Sequence, residues 1–181
     1  LWSGQPLDCN PEGALENLPK IRKLLFKGKN KEAYELAQKY LLGDPRSVRS
    51  HQCLGYLHMD FDAAGNYTDY RRELNLRTGI SRVSYRQDGT RYTREAFTSA
   101  PDDMLVVRLT AGDGGSIDLT LKLTRRQDAS VETTGNNELL LTGQVVDEPD
   151  PTVGPGGKHM RFAARLRASQ NGGSLTASDK S

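Results

Sequence analysis

Residues 117–124 alternate without a break. Ile117, Leu119, Leu121 and Leu123 are apolar, while Asp118, Thr120, Lys122 and Thr124 are polar. Successive side chains of a strand point to opposite faces, so this period gives one face to a core and the other to water. The same period recurs in Leu105, Val107 and Leu109 within 104–111. It recurs again where Met160, Phe162, Ala164, Leu166 and Ala168 alternate with Arg161, Ala163, Arg165 and Arg167. Short runs of this kind, separated by turn residues, specify an antiparallel sandwich or barrel rather than a parallel sheet with crossover helices. Asp88-Gly89 predicts a tight hairpin between strands near 80–87 and 90–99. Gly114-Gly115 joins 104–111 to 116–124, and Gly135-Asn136 joins short strands around 131–134 and 138–146.

Before residue 43 the spacing is three to four instead of two. Asn10-Pro11-Glu12 opens a short helical turn with Leu15 and Leu18 three apart. Pro19 suits the first turn of a helix and not its interior, which predicts a second helix starting there. Ile21, Leu24 and Leu25 share one face of it, and Gly28 offers a left-handed cap. A third helix starts with Asn30 as N-cap, carries Ala33, Leu36, Ala37, Tyr40 and Leu41 on one face, and is stopped by Gly43-Asp44-Pro45. The expected fold is therefore mainly β, an antiparallel β-sandwich with short helices near the N-terminus. The helical segment covers about 11–42 and the strands about 50–181.

Two stretches fall outside these patterns. Residues 147–158 form a Pro/Gly loop with no apolar face, of the kind that is functional or disordered in compact domains. Residues 170–181 are small and polar with one Leu, like a strand and turn cut off before the fold is finished.

Charge excludes some functions. The 25 basic and 23 acidic residues leave a net charge of +2, with opposite signs interspersed as in Tyr70-Arg-Arg-Glu73. Nucleic-acid binding calls for concentrated basic charge, so no nucleic-acid partner is expected. No apolar run reaches the 18 or so residues of a membrane span, and the sequence opens at Leu1-Trp2-Ser3-Gly4 without the pattern expected of a signal peptide. Cys9 and Cys53 are compatible with one disulfide or with two reduced thiols. Asn66-Tyr67-Thr68 fits a glycosylation sequon.

Catalytic constellations are sparse. His51, His58 and His159 are far apart, and the two cysteines have no metal-ligand spacing, so no metal or other cofactor is expected. A nucleophile elbow and a phosphate-cradling loop are both missing. Paired carboxylates remain, since glycoside hydrolysis needs an acid and a base across the scissile bond. Asp60 and Asp62 lie two apart on one strand, and Glu73 and Glu95 lie near arginines. Acids on an alternating strand are ordinarily solvated, and acids beside Arg are ordinarily ion-paired, so none is assigned a catalytic role. Trp2, Tyr56, Phe61, Tyr67 and Tyr70 cluster near the helix-to-sheet transition, where exposed rings could stack on sugars. Packing is the commoner role of such rings.

Taken in order, several segments resemble glycoside hydrolase family 95, known chiefly for α-L-fucosidases. Leu1-Trp2-Ser3-Gly4 is similar to the family's opening motif. Leu18-Pro-Lys-Ile-Arg-Lys-Leu-Leu-Phe-Lys-Gly28 and Glu32-Ala-Tyr-Glu-Leu-Ala37 resemble its helical stretch. Gln52-Cys-Leu-Gly-Tyr-Leu-His-Met-Asp-Phe61 resembles a following strand, with Cys53 and Tyr56 as departures. The most specific part runs from Tyr70-Arg-Arg-Glu-Leu-Asn-Leu76 through Val83-Ser-Tyr85 to Tyr92-Thr-Arg-Glu-Ala-Phe-Thr-Ser99, with Asn75 in place of the usual Asp.

The resemblance implies an N-terminal super-sandwich that precedes a helical linker, an (α/α)6 catalytic barrel and a C-terminal β domain. It also implies inverting hydrolysis of terminal fucosyl linkages without a metal. The family's acid and base lie in the barrel, and no position here matches them, so catalytic, cofactor-binding and metal residues are all expected to be none. Residues 1–181 are expected to be one truncated N-terminal domain, inactive alone and prone to self-association. Its partner would be the barrel of the same protein, which acts on fucosylated glycans in a secreted or periplasmic setting. An independent carbohydrate-binding module is the alternative.

Overall fold

The alternating segments are strands. The computed structural model describes residues 1–62 and 65–178. It is mainly β, with helices confined to α1 (Ala14–Phe26) and α2 (Asn30–Tyr40). The chain divides into two compact units, one made of Leu1–Leu57 with Leu123–Ser181 and the other of His58–Lys122. Strand β1 (Tyr56–Phe61) carries the chain from the first unit into the second.

In the second unit β2 (Tyr67–Asn75), β3 (Ile80–Gln87), β4 (Thr90–Ser99) and β5 (Met104–Ala111) pair in sequence order, each antiparallel to the next. Asp88 and Gly89 have φ of 49° and 85°, the pair of positive values that a two-residue hairpin needs to match strand twist. The expected hairpin therefore forms with the expected boundaries. That turn fixes the register, setting Tyr85 opposite Tyr92 and Val83 opposite Arg94. β2 carries a bulge between Thr68 and Arg71, so Asp69 and Tyr70 face the single residue Tyr85. The Gly114-Gly115 turn does not make a hairpin. It leads from β5 to β6 (Leu119–Thr124), which pairs with β1, so the pattern of 117–124 is satisfied by a strand far away in sequence.

In the first unit β7 (Ala129–Thr133), β8 (Glu138–Asp147) and β9 (Gly157–Arg167) form an antiparallel sheet. The hairpin expected at Gly135-Asn136 joins β7 to β8. Leu141 and Val145 are fully buried beside Phe162, with Leu1, Leu123 and Ala164 packed against them. Gly143 stands opposite Phe162, and a Cβ there would come within 2.8 Å of the ring. Only glycine lets the two strands close over this core.

The first four residues act as a clasp. The Leu1 amino group donates to the Gln52 carbonyl at 2.7 Å, Trp2 Nε1 to Arg49 at 3.0 Å, and the buried Ser3 hydroxyl to Ser50 at 3.1 Å. A Cβ on Gly4 would sit 2.5 Å from the Trp2 ring, so the bare backbone is what allows the indole to fold over it.

The helices depart from expectation in two ways. Leu15, Leu18, Ile21 and Leu24 belong to a single helix, and Pro19 lies inside it. The proline removes the donor that would reach the Leu15 carbonyl, but Leu15 is 81% exposed and water can take that place. Leu25 turns outward instead of sharing the face of the buried Ile21. Asn30 is the first residue of α2 and not its cap; that place belongs to Lys29, whose ammonium pairs with Glu32 at 2.9 Å. Gly28 does end α1 as expected. Its φ is 72°, its N–H reaches Leu25, and the next N–H reaches Leu24, which satisfies two carbonyls of the last turn. Among the described residues, no helix is long and apolar enough to cross a membrane.

The Pro/Gly loop is ordered structure. β9 begins at Gly157, inside the stretch read as loop, and Asp150 N–H reaches the Gly154 carbonyl at 3.1 Å to close a turn. Arg49 donates to the carbonyls of Glu148 at 2.8 Å and Gly154 at 3.0 Å, which ties that turn to the chain's start. Residues 168–178 form no strand, and the last three residues of the expected remnant lie outside the described residues.

Candidate functional site

The four carboxylates singled out above are dispersed. Asp60 is exposed on β1, 3.5 Å from Lys122 Nζ. Asp62 lies just past β1, exposed, with its N–H on the Asp118 carbonyl at 3.1 Å. Glu73 and Glu95 flank Arg82 on the four-stranded sheet, at 3.8 and 2.5 Å. Hydrogen bonding and charge from Glu95 raise the Arg82 pKa further, with Glu73 adding to it. These acids do what surface acids beside arginines ordinarily do.

The aromatic cluster also divides. Trp2 and Tyr56 belong to the first unit, Phe61, Tyr67 and Tyr70 to the second. The Cys53 thiol donates to the Tyr56 hydroxyl at 3.4 Å, and hydrogen bonding and charge at Cys53 raise the phenol pKa. Cys9 and Cys53 are both free thiols.

Within the second unit, Phe61 and Tyr67 join residues that sequence reasoning did not select. Tyr85 is 6% exposed and stacks on Tyr92, with centroids 5.5 Å apart and planes at 15°. Tyr67 meets Tyr85 edge-on at 5.4 Å. Arg94 lies in the same row as Val83 and Leu109, a cation on an apolar face. Its guanidinium sits 3.7 Å over the Phe61 ring, and Nη2 donates to the Tyr85 hydroxyl at 2.9 Å. Its Nε is buried and, among the described residues, has no hydrogen-bond partner. A shallow cavity of about 110 Å³ opens here, with Asp62, Ser116 and Asp118 at its exposed rim. The signal that could have found it is the Asp88-Gly89 turn, which places Tyr85 against Tyr92 and Arg94 against Val83.

A second buried polar group lies in the first unit. His159 is on β9 where His159 and Met160 together face Val145 across a bulge. Its side chain is 1% exposed; Nε2 is 3.9 Å from Asp147 Oδ2, which lies 3.6 Å from Arg49 Nη1. Among the described residues, no group of three or more His, Cys, Asp and Glu side chains is placed to hold a metal.

On α1 the outward face mixes exposed apolar side chains with the cations Arg22, Lys23 and Lys27. Leu15 and Phe26 are 81% and 85% exposed, and with Leu18, Pro19 and Arg22 they line an open groove of about 480 Å³.

Comparison with known proteins gives this chain a context. Residues 1–181 match the family described as "Glycosyl hydrolase family 65, N-terminal domain". Over 147 residues, 79% of the chain, the sequence is 33% identical to "Alpha-L-fucosidase 2" of Arabidopsis thaliana. The chain spans 17% of that protein's length.

Proposed function

The chain belongs to the family of glycosyl hydrolase family 65 N-terminal domains, and from that membership we propose that it is the non-catalytic N-terminal domain of a larger α-L-fucosidase-type hydrolase. Its two units would together form one domain that packs against and supports a catalytic (α/α)6 barrel, as in the family 95 enzymes its motifs resemble. The barrel would remove terminal fucose from glycans with inversion. The observation that carries the docking role is the α1 surface. Leu15 and Phe26 stand in water on a helix whose opposite side buries Ile21, and the chain covers only a sixth or so of the fucosidase it resembles. Burying two such side chains is worth about 1.5–3 kcal/mol each, enough to hold a neighbouring domain in place. Without that neighbour the same surface favours self-association. The ion-paired state of Glu73 and Glu95 supports a non-catalytic reading.

The test compares the 181-residue chain with the longer protein that contains it, on an aryl α-L-fucoside and on a 2-fucosylated oligosaccharide. General acid–base assistance contributes about 10²–10⁴-fold, so a chain without the pair should show no measurable turnover while the longer protein hydrolyses both. Turnover by the chain alone, abolished by replacing Asp60, Asp62, Glu73 or Glu95, would overturn the non-catalytic role. Inactivity of both would overturn the fucosidase assignment.

A further inference from the structure

The second unit holds an unexplained cation. Arg94 lies between Val83 and Leu109 on an apolar sheet face, and among the described residues no carboxylate pairs with it. Two aromatic rings and one phenol hydroxyl engage it, at 3.7 and 5.3 Å from the Phe61 and Tyr85 centroids, yet Nε is buried and unpartnered. A desolvated donor of this kind is costly unless an acceptor reaches the site. The two acids that line the same cavity do not pair with it. Asp62 and Asp118 are exposed at the mouth of the cavity, where Asp118 accepts from the Ser116 hydroxyl at 3.2 Å.

These groups select a ligand by exclusion. An anion would suit Arg94 but would be repelled by the two rim carboxylates. A cation would suit the rim but not the guanidinium beneath it. An apolar ligand would leave every polar group unsatisfied. A ring bearing adjacent hydroxyls meets all three demands: hydroxyl hydrogens donate to carboxylates, hydroxyl oxygens accept from the guanidinium, and the C–H face lies on an aromatic ring. About 110 Å³ admits a few water-sized groups, so the cavity takes the hydroxylated edge of one sugar ring and not a chain of them. We infer that the cavity formed by Phe61, Tyr85, Tyr92 and Arg94, with Asp62 and Asp118 at its rim, is a binding site for a single neutral monosaccharide unit. All of its groups come from His58–Lys122. The inference does not depend on the docking role, since binding here needs no neighbouring domain.

The site is tested by titrating the 181-residue chain, followed through its amide NMR spectrum, with L-fucose, with D-galactose and, separately, with inorganic phosphate. The expected result is saturable displacement of the Tyr92, Arg94 and Ile117 amides by a sugar, with a dissociation constant on the order of 1 mM, as suits a shallow site. Asp62→Asn and Asp118→Asn sit at the exposed rim and keep the fold, and each should weaken binding about tenfold or more. Arg94→Met should abolish it; if that variant unfolds, the two rim variants decide alone. No saturable shift with either sugar would overturn the assignment. So would rim variants that bind like the parent, or phosphate binding at these amides in place of sugar.

Discussion

Arg82 faces Glu95 directly across β3 and β4, with Nη2 2.5 Å from the carboxylate, and faces Glu73 across β2 on its other side. One exposed cation therefore separates two carboxylates in a single row. Replacing it, in Arg82→Gln, leaves the two acids to repel each other. The expected outcome is a lower melting temperature at low salt and a difference that shrinks as salt screens the row. Thermal melts at two ionic strengths check this.

The contact of Gly143 with Phe162 predicts a larger effect. A methyl group at residue 143 would meet both the ring and the Asp128 carbonyl. Gly143→Ala should cost about 1–3 kcal/mol through overpacking. Adding Phe162→Leu to it should cost less than the separate losses added together, since the ring is what the methyl meets. Denaturant midpoints of the two single variants and the double variant measure the coupling; additive losses would show that the ring is not the obstacle.

Pro19 offers a gain. It sits inside α1, where a proline costs about 3 kcal/mol relative to alanine. Its stiffening of the unfolded chain returns about 1 kcal/mol. Pro19→Ala should therefore stabilise α1 by roughly 2 kcal/mol, read as slower amide exchange from Ile21 to Leu25. Unchanged or faster exchange would mean that the proline is needed where it is.

The turn at 150–154 has a pH dependence with a definite sign. The Thr152 amide hydrogen-bonds the Asp150 carboxylate at 2.7 Å and lowers its pKa, with Val153 and Arg49 assisting. A carboxyl with a depressed folded value contributes stability above its unfolded value of about 3.9, and loses it as pH falls through the lower folded value. Amide protection at Thr152, Val153 and Gly154 should hold from neutral pH to about pH 4 and fall only below that. Asp150→Asn should flatten the transition.

Local chemistry was legible where one short motif decided the outcome. Asp88-Gly89 fixed a hairpin, its boundaries and its register, because two positive φ angles leave few alternatives. Gly28 announced the end of α1 for the same reason. Pro19 points to a helix start because a first turn is a proline's usual place, but the continuous apolar spacing on either side of it carries one helix through. The 147–158 stretch reads as a loop because its order comes from Arg49, about a hundred residues earlier. The cavity was half legible. The Tyr85–Tyr92 and Val83–Arg94 pairs follow from the turn, but Phe61 reaches Arg94 only through the pairing of β1 with β6, which no local pattern announces.

The clasp at the N-terminus has a consequence for how this architecture can vary. Residues 1–4 and 49–52 are joined by five hydrogen bonds and one bridge, so the helical stretch between them starts and ends at the same place in the first unit. Topologically it is a detour with a fixed mouth. Lengthening or shortening a loop with fixed ends changes its closure entropy only slowly, by about 0.6 kcal/mol for each doubling. The α1–α2 excursion can therefore be resized, or exchanged for one with a different outward face, while Leu1 keeps its place against Leu141 and Val145. The outward face of the helices and the scaffold are free to diverge separately, and the seam between them is the tryptophan lying on Gly4.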